Sequence, residues 1–254
     1  MNTNVLRSVA LTLAFSATGS ALATQVSFNQ STCLATSTAS CSVKVNNVKY
    51  GANLSGWSAS STGNFAAASM VYYAGGGVGI TTKNESTASP QHAMDNNGST
   101  EALLINFGEL SVALNQISIG WSYSDADVSI LRYTGVDAPK LSASTVSNLD
   151  AAAGWEWVGD YSTLKPSSPL NFNTGNDAKT ASWWLVSAYN SAYSGKPAAG
   201  NLTNGNDYFK LSGFAGNVVV TPPPVNQVPE PGSFALLGIA MLGFASARSR
   251  SKTK

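Results

Sequence analysis

The sequence predicts one all-β domain over residues 24–220, and we expect it to be a single jelly-roll-like antiparallel β-sandwich. Short runs of alternating apolar and polar residues recur along this part of the chain. Turn-forming residues separate these runs, as is typical of sandwiches and barrels. Aromatic residues make up 9% of the chain and charged residues 11%, a composition too aromatic for a disordered chain. A segment of about 200 residues suffices for one β domain with its own core.

The first two predicted strands cover residues 25–28 and 41–45, and we expect them to form a β-hairpin. Cys33 and Cys41 are the only cysteines of the chain. In an oxidising compartment, such an isolated pair predicts one disulfide, here across the ends of the hairpin. Because the closed loop is short, the bond should contribute less than the ~3 kcal/mol estimated for a loop of about 15 residues.

The most regular alternation lies in the middle of the chain. A strand is predicted at 101–107, and residues 117–123 then alternate with a period of two, which puts Trp121 on the buried face. The segment 125–127 is predicted to be a turn. It would return the chain as a partner strand at 128–133.

Further strands are predicted at 67–73, 155–158, 181–189 and 207–211, and residues 218–220 are either a last strand or the start of the linker. The run 181–189 is almost entirely apolar, so we expect a central strand buried on both faces, with Trp183 and Trp184 pointing in opposite directions. Residues 56–64 are predicted to be a loop and 144–149 a short helix.

The charge of the predicted domain excludes one class of partner. The whole chain has a net charge of +1, but nine basic and twelve acidic residues between the two ends leave the domain at −3. Nucleic-acid binding needs clustered Lys and Arg. We therefore expect no nucleic-acid partner.

The amino terminus has the organisation of a signal peptide, residues 1–23. Arg7 precedes an apolar stretch at 9–15, and Ala21 and Ala23 form the small-x-small pattern of a signal-peptidase site. We predict recognition by the Sec translocon and cleavage by signal peptidase after Ala23.

The carboxyl terminus is predicted to be a proline-rich linker, residues 221–227, followed by a membrane segment, residues 228–254. This segment begins with the four residues Val228, Pro229, Glu230 and Pro231, continues with an apolar stretch at 233–247, and ends in the basic residues Arg248, Arg250, Lys252 and Lys254. The apolar stretch is shorter than the ~20 residues that span a bilayer comfortably. However, the basic tail directly after it predicts a transmembrane helix with its end in the cytoplasm.

These three parts of the carboxyl terminus together resemble the PEP-CTERM sorting signal of Gram-negative bacteria. The resemblance implies that an exosortase-type enzyme recognises Pro229-Glu230-Pro231 and processes the protein. It also implies a transient stay in the inner membrane, followed by release to the cell surface or the medium. We therefore expect a non-enzymatic protein of the cell surface or extracellular matrix, associated with exopolysaccharide or biofilm.

The predicted domain also resembles a family of exosortase-dependent surface proteins. The shared landmarks, in order, are Asp95-Asn96 with Gly98, 103–107, 119–121, 125–128, 131–135, 154–155, 183–190 and 207–211. The resemblance covers most of the domain. It implies no enzymatic activity and leaves the molecular role open.

The sequence does not favour an enzyme. His92 is the only histidine, and no serine lies in a Gly-x-Ser-x-Gly elbow, so a nucleophilic triad is not predicted. A secreted glycoside-active hydrolase remains as an alternative, because it needs only two carboxylates ~5–10 Å apart. The candidate carboxylates are Asp125, Asp127, Glu109, Glu156 and Asp160.

A structural calcium ion is the one cofactor that the sequence offers. Calcium prefers carboxylate, amide and backbone oxygens from loops, and Asp95, Asn96, Asp125 and Asp127 supply them. The spacing does not fit an EF-hand. The competing interpretation is that these side chains bond to the backbone of their own turns.

Six tryptophans and nine tyrosines raise the alternative of a jelly-roll carbohydrate-binding module, in which exposed rings stack on sugars. Most tryptophans of a β-sandwich instead fill its core. A strip of exposed Trp and Tyr on one sheet or groove would distinguish the two interpretations.

Overall fold

The structure is a computed structural model that describes residues 23–30, 40–83, 85, 90, 92–193 and 201–219. The described part of the chain is all-β, as predicted. Its strands are β1 (Ala23–Asn29), β2 (Ser40–Val45), β3 (Val48–Ser60), β4 (Ala66–Tyr73), β5 (Gly77–Thr81), β6 (Met94–Asp95), β7 (Ser99–Asn106), β8 (Val112–Ser122), β9 (Val128–Tyr133), β10 (Trp155–Tyr161), β11 (Leu170–Asn171), β12 (Trp183–Ala188) and β13 (Tyr208–Val219).

The strands form one continuous antiparallel sheet in the order β10-β9-β12-β7-β3-β4-β5-β13-β8-β11, with β1 and β6 on β13 and β2 on β3. The strand β4 pairs with β3 through its first three residues and with β5 through its last five. It thereby joins what we call the β12 half (β2, β3, β7, β9, β10, β12) to the β13 half (β1, β5, β6, β8, β11, β13). Because hydrogen bonds connect the two halves, a jelly-roll sandwich of separate sheets is not confirmed.

The two halves contribute to one hydrophobic core. Leu103 of β7 and Trp184 of β12 lie in the same buried cluster as Ile117 of β8 and Phe214 of β13. A second cluster covers the other face of the β12 half, where Leu185 packs with Leu141 and Val146 of two of the three short 3-10 turns at 141–153. The strand β12 is therefore buried on both faces, as its apolar sequence predicts.

The predicted hairpin between the first two strands is wrong. The strand β1 pairs with β13, and β2 pairs with β3. Asn46 and Asn47 connect β2 to β3 with φ angles of 50° and 65°, which is the two-residue turn whose twist suits a hairpin. Cys41 is buried in β2, whereas Cys33 lies outside the described residues, so the disulfide stays a prediction.

The predicted pairing of 117–123 with 128–133 is also wrong. The strand β8 pairs with β13 and β11, whereas β9 pairs with β10 and β12. The segment 125–127 therefore does not close a hairpin. It carries the chain from the β13 half to the β12 half.

Two long strands and one helix were not predicted correctly. The strand β3 includes most of the predicted loop at 56–64, and residues 208–211 and 218–219 of two separately predicted strands belong to β13. Only glycine fits at position 216 of β13, because a Cβ there would lie 2.7 Å from the carbonyl oxygen of Ala113 on the neighbouring strand β8. Residues 144–149 form part of the 3-10 turns rather than an α-helix.

Residues Leu22–Val220 form one compact unit. Ala23, the predicted end of the signal peptide, begins β1 opposite Val219. The rest of the signal peptide, the linker and the segment 228–254 lie outside the described residues, so their boundaries and both terminal helices stay predictions. None of the helices in the described part is long and apolar enough to cross a membrane.

Candidate functional site

Three aspartates meet where the chain crosses between the two halves. Asp125 and Asp127 lie in the crossing segment, and Asp207 precedes β13. One carboxylate oxygen from each lies within 4.8 Å of the others. Asp127 and Asp207 are fully buried, and Asp125 is half-buried.

The two buried carboxylates accept hydrogen bonds from distant parts of the chain. Asp127 Oδ1 accepts from the Thr163 N–H at 2.7 Å, and Oδ2 accepts from the Thr203 N–H at 3.1 Å. Asp207 Oδ1 accepts from the Asp127 N–H at 2.7 Å, and Oδ2 accepts from Asn96 Nδ2. These are long-range contacts, so Asp127 and Asp207 do more than bond their own turns.

Burial raises the pKa of Asp207 to about 7, and the nearby charges of Asp127 and Asp125 add to this rise. Burial also raises the pKa of Asp127. Among the described residues, neither carboxylate forms an ion pair with a cation. The donor set fits an oxygen-preferring cation such as calcium, which would compensate the negative charges.

The structure brings together three of the four predicted calcium ligands. Asn96 contacts Asp207, which lies close to Asp125 and Asp127. Asn96 Nδ2 donates to Asp207 Oδ2, and the Asp207 N–H donates to Asn96 Oδ1 at 3.0 Å. Asp207 was missed, because no local pattern marks a residue 80 positions from its partner Asp127. Asp95 instead lies beside Glu101, whose Oε2 accepts from the Asp95 N–H at 3.3 Å.

Asp95 and Glu101 form a second pair of carboxylates, which sequence reasoning did not single out. Burial, together with neighbouring acids, raises the pKa of Asp95 to about 7 and that of Glu101 to about 9. Both side chains are buried. Glu85 adds negative charge nearby and accepts a hydrogen bond from the His92 N–H at 2.7 Å.

The other predicted acids lie elsewhere. Glu156 forms ion pairs with Arg132 and with Lys179, the second at 2.6 Å, and Asp160 accepts a hydrogen bond from Ser129 at 2.7 Å. Glu109 is exposed.

The structure corrects the predicted burial of Trp121. Ile119 lies opposite Leu211, but Trp121 lies opposite Lys210, so β8 advances two residues where β13 advances one. This β-bulge at Gly120 turns Trp121 away from the core face that Ile117 and Ile119 occupy. A Cβ at Gly120 would lie 2.5 Å from the carbonyl oxygen of Gly76, so only glycine fits the bulge.

The bulge creates an aromatic strip on the outer face of the β13 half. The rings of Trp121 and Tyr123 lie 6.4 Å apart with 11° between their planes, and Tyr208 contacts Tyr123 edge-on. Tyr123 is 56% exposed. The tryptophans Trp155 and Trp184 are buried, whereas Trp57, Trp121, Trp157 and Trp183 are half-buried.

Lys210 completes the strip. Its Nζ lies 3.7 Å from the centre of the Trp121 ring and 4.5 Å from that of Tyr73, an arrangement that cation–π attraction stabilises. The ion pairs of the described residues join Arg132 and Lys179 to Glu156. Lys210 therefore has no carboxylate partner within the described part of the chain.

Fold and charge thus define an all-β domain with a buried acidic cluster and an outer aromatic strip. The chain also carries a sorting signal, because the family model of the PEP-CTERM protein-sorting motif matches residues 227–251. The resemblance seen at Pro229-Glu230-Pro231 is thereby confirmed. The motif implies export toward the cell surface and processing by an exosortase. No curated protein and no solved structure matches the chain significantly.

Proposed function

We propose that this protein is a non-enzymatic component of the cell surface or extracellular matrix, delivered by exosortase processing. The match of residues 227–251 to the sorting motif carries this proposal. The signal peptide engages the Sec translocon, and signal peptidase then removes it. The helix 233–247 halts in the inner membrane with Arg248 and Lys254 inside, and Pro229-Glu230-Pro231 is presented to the exosortase.

The processing step has a direct test with a matched control. We expect the protein to lose its carboxyl-terminal tail, by intact mass, in an exosortase-positive host and to reach the surface or medium. In an exosortase-deleted host it should keep the tail and remain in the inner membrane. The double variant Pro229→Ala, Pro231→Ala should behave as in the deleted host. The control Pro222→Ala, Pro224→Ala changes two linker prolines and should be processed normally. Equal masses in both hosts would refute the proposal.

We also propose that the exported domain associates with polysaccharide. The half-buried ring of Trp121 and the exposed ring of Tyr123 support this, since accessible rings provide the apolar surface on which sugar rings stack, whereas Tyr208 is buried beside them. Half-buried and exposed aromatic rings on one sheet face are the feature that distinguishes a binding surface from core packing. Co-sedimentation with the host's own exopolysaccharide, compared between wild-type protein and Tyr123→Ala, tests this association.

A glycoside hydrolase is the competing proposal, and burial argues against it. Such enzymes need one carboxylic acid and one carboxylate on either side of an accessible sugar bond. Asp95 and Glu101 have raised pKa values of about 7 and about 9, but both side chains are buried. Release of reducing sugars that Glu101→Gln abolishes would favour the hydrolase.

A further inference from the structure

We propose that the outer aromatic strip binds acidic polysaccharide, with Lys210 pairing with sugar carboxylates and Trp121 and Tyr123 stacking on the sugar rings. This inference rests on the proposed association with polysaccharide and names the chemical class of the ligand.

The strip holds a cation between two aromatic rings. Lys210 is only 7% exposed, and its Nζ contacts the rings of Trp121 and Tyr73. Removing an ammonium group from water is costly unless a partner compensates for the lost hydration. Within the described residues no carboxylate supplies this compensation, and burial lowers the pKa of Lys210. A carboxylate from a ligand would complete the pairing.

The two rings of the strip are aligned along the strand. Trp121 and Tyr123 lie on the same side of the sheet with nearly parallel planes, and Tyr123 is 56% exposed. Their separation of 6.4 Å is close to the ~6.6–6.8 Å rise between alternate residues of a strand. The rings therefore follow the strand as a row, which suits an extended chain of sugars better than a single one.

A cleft lies next to the strip, at the bulge. It has a volume of about 240 Å³, reaches Gly120, and is lined by Ser118, Ser167, Ser212 and Gln30. Serine hydroxyls and a glutamine amide can both donate and accept hydrogen bonds, as sugar hydroxyls require. The cleft, which Ile119 and Pro169 also line, thus adjoins the bulge directly before Trp121.

The glycine bulge shows why this arrangement depends on the fold. If β8 continued past Ile119 without the bulge, the period of two would place Trp121 on the core face with Ile119, away from Lys210. The bulge re-aims one ring toward the cation, a use that bulges have elsewhere next to binding sites.

Binding of the purified full-length protein to polygalacturonate, an acidic polymer, and to dextran, an uncharged one, tests the inference. We expect polygalacturonate to be bound more tightly than dextran, and added salt to weaken its binding. Lys210→Met keeps the aliphatic stem but removes the charge, and should weaken polygalacturonate binding about tenfold. Tyr123→Ala, at an exposed position, should weaken the binding of both polymers without loss of folding.

The control is Lys49→Met, which removes the charge of an exposed lysine on β3 and should leave binding unchanged. Thermal unfolding of each variant separates lost binding from lost folding, and Tyr123→Ala keeps the test valid if Lys210→Met is unstable. Equal affinity for the two polymers, or equal weakening by Lys49→Met and Lys210→Met, would overturn the acidic specificity. Failure to bind either polymer would overturn the site itself. Neither result affects the mass test of exosortase processing.

Discussion

Two clusters of charged side chains in this protein differ in burial and in what they hold together. In the crossing cluster (Asp125, Asp127 and Asp207, with Asn96), buried carboxylates accept hydrogen bonds from backbone N–H groups far away in the chain. In the surface cluster (Arg132, Glu156 and Lys179), charges pair with one another near solvent.

The difference shows where charge matters for this fold. Asp127 links the crossing segment to the loop at Thr163 and to the segment at Thr203, so it fixes connections between strands that are distant in sequence. Arg132 and Glu156 lie on paired neighbouring strands, which the sheet already aligns. Exposed ion pairs contribute little to stability, whereas unsatisfied buried groups are costly. We therefore expect the crossing cluster to contribute more to the free energy of unfolding than the surface cluster does.

The largest effect is expected from Asp127→Ala. The substitution removes the acceptor of two backbone N–H groups and should lower the free energy of unfolding by about 2–4 kcal/mol. Urea denaturation measures it. Asp125→Ala is the matched control, because Asp125 accepts only from the N–H of its neighbour Ala126 in the described network. Its loss should stay below about 1 kcal/mol. Equal losses of unfolding free energy in the two variants would contradict the larger structural role of Asp127.

The pH dependence of stability should depend on Glu101. Its pKa in the folded protein is about 9, above its ordinary value of 4.5, because burial and the charges of Asp95 and Glu85 favour the protonated form. The native state therefore holds a proton that the unfolded chain releases, and its stabilising effect is complete below about pH 4.5 and lost as the pH rises toward 9.

The expected slope is a loss of about 1 kcal/mol of unfolding free energy per pH unit across this window. Glu101→Gln is neutral at every pH, so its stability should fall less steeply. Urea denaturation at pH values on both sides of neutrality gives the two profiles. Parallel profiles would show that Glu101 does not carry the proton, and Asp95→Asn would then be the next variant to compare.

Calcium should stabilise the crossing cluster. A bound cation would compensate the charges of Asp125, Asp127 and Asp207, so we expect millimolar calcium to raise the unfolding midpoint relative to EDTA. The rise should be about 2–4 °C for each kcal/mol of binding. Asp207→Asn should abolish it, whereas Glu109→Gln, at an exposed acid, should not. If the wild-type midpoint were the same in calcium and in EDTA, the predicted calcium binding would be wrong. The hydrogen bonds alone would then stabilise the cluster.

The smallest effect is expected at the surface cluster. Burial by itself raises the pKa of Glu156, but the hydrogen bonds and charges of Lys179 and Arg132 outweigh burial and lower it. Glu156→Gln should nevertheless cost less than about 1 kcal/mol, because the pair is exposed. High salt should diminish that cost. A loss as large as that of Asp127→Ala would remove the distinction between the two clusters.

Local patterns predicted the strands well and their partners poorly. The alternation at 128–133 and the apolar run at 181–189 indicated β9 and β12, because side-chain period and burial are properties of one segment. The pairing of β1 with β13, across nearly the whole domain, has no local signature. Asn46-Asn47 did carry one, since two asparagines that accept positive φ favour a tight hairpin between β2 and β3.

The sequence by itself determined the all-β class and the sorting motif at 227–251, because composition, period and a short linear signal survive without tertiary contacts. It also indicated three members of the crossing cluster. Only the tertiary structure brought in Asp207, moved Asp95 beside Glu101, and turned Trp121 out toward Lys210. The physical reason is the same in each case. These placements depend on strand register and on a one-residue bulge, and a shift of one residue exchanges the two faces of a strand.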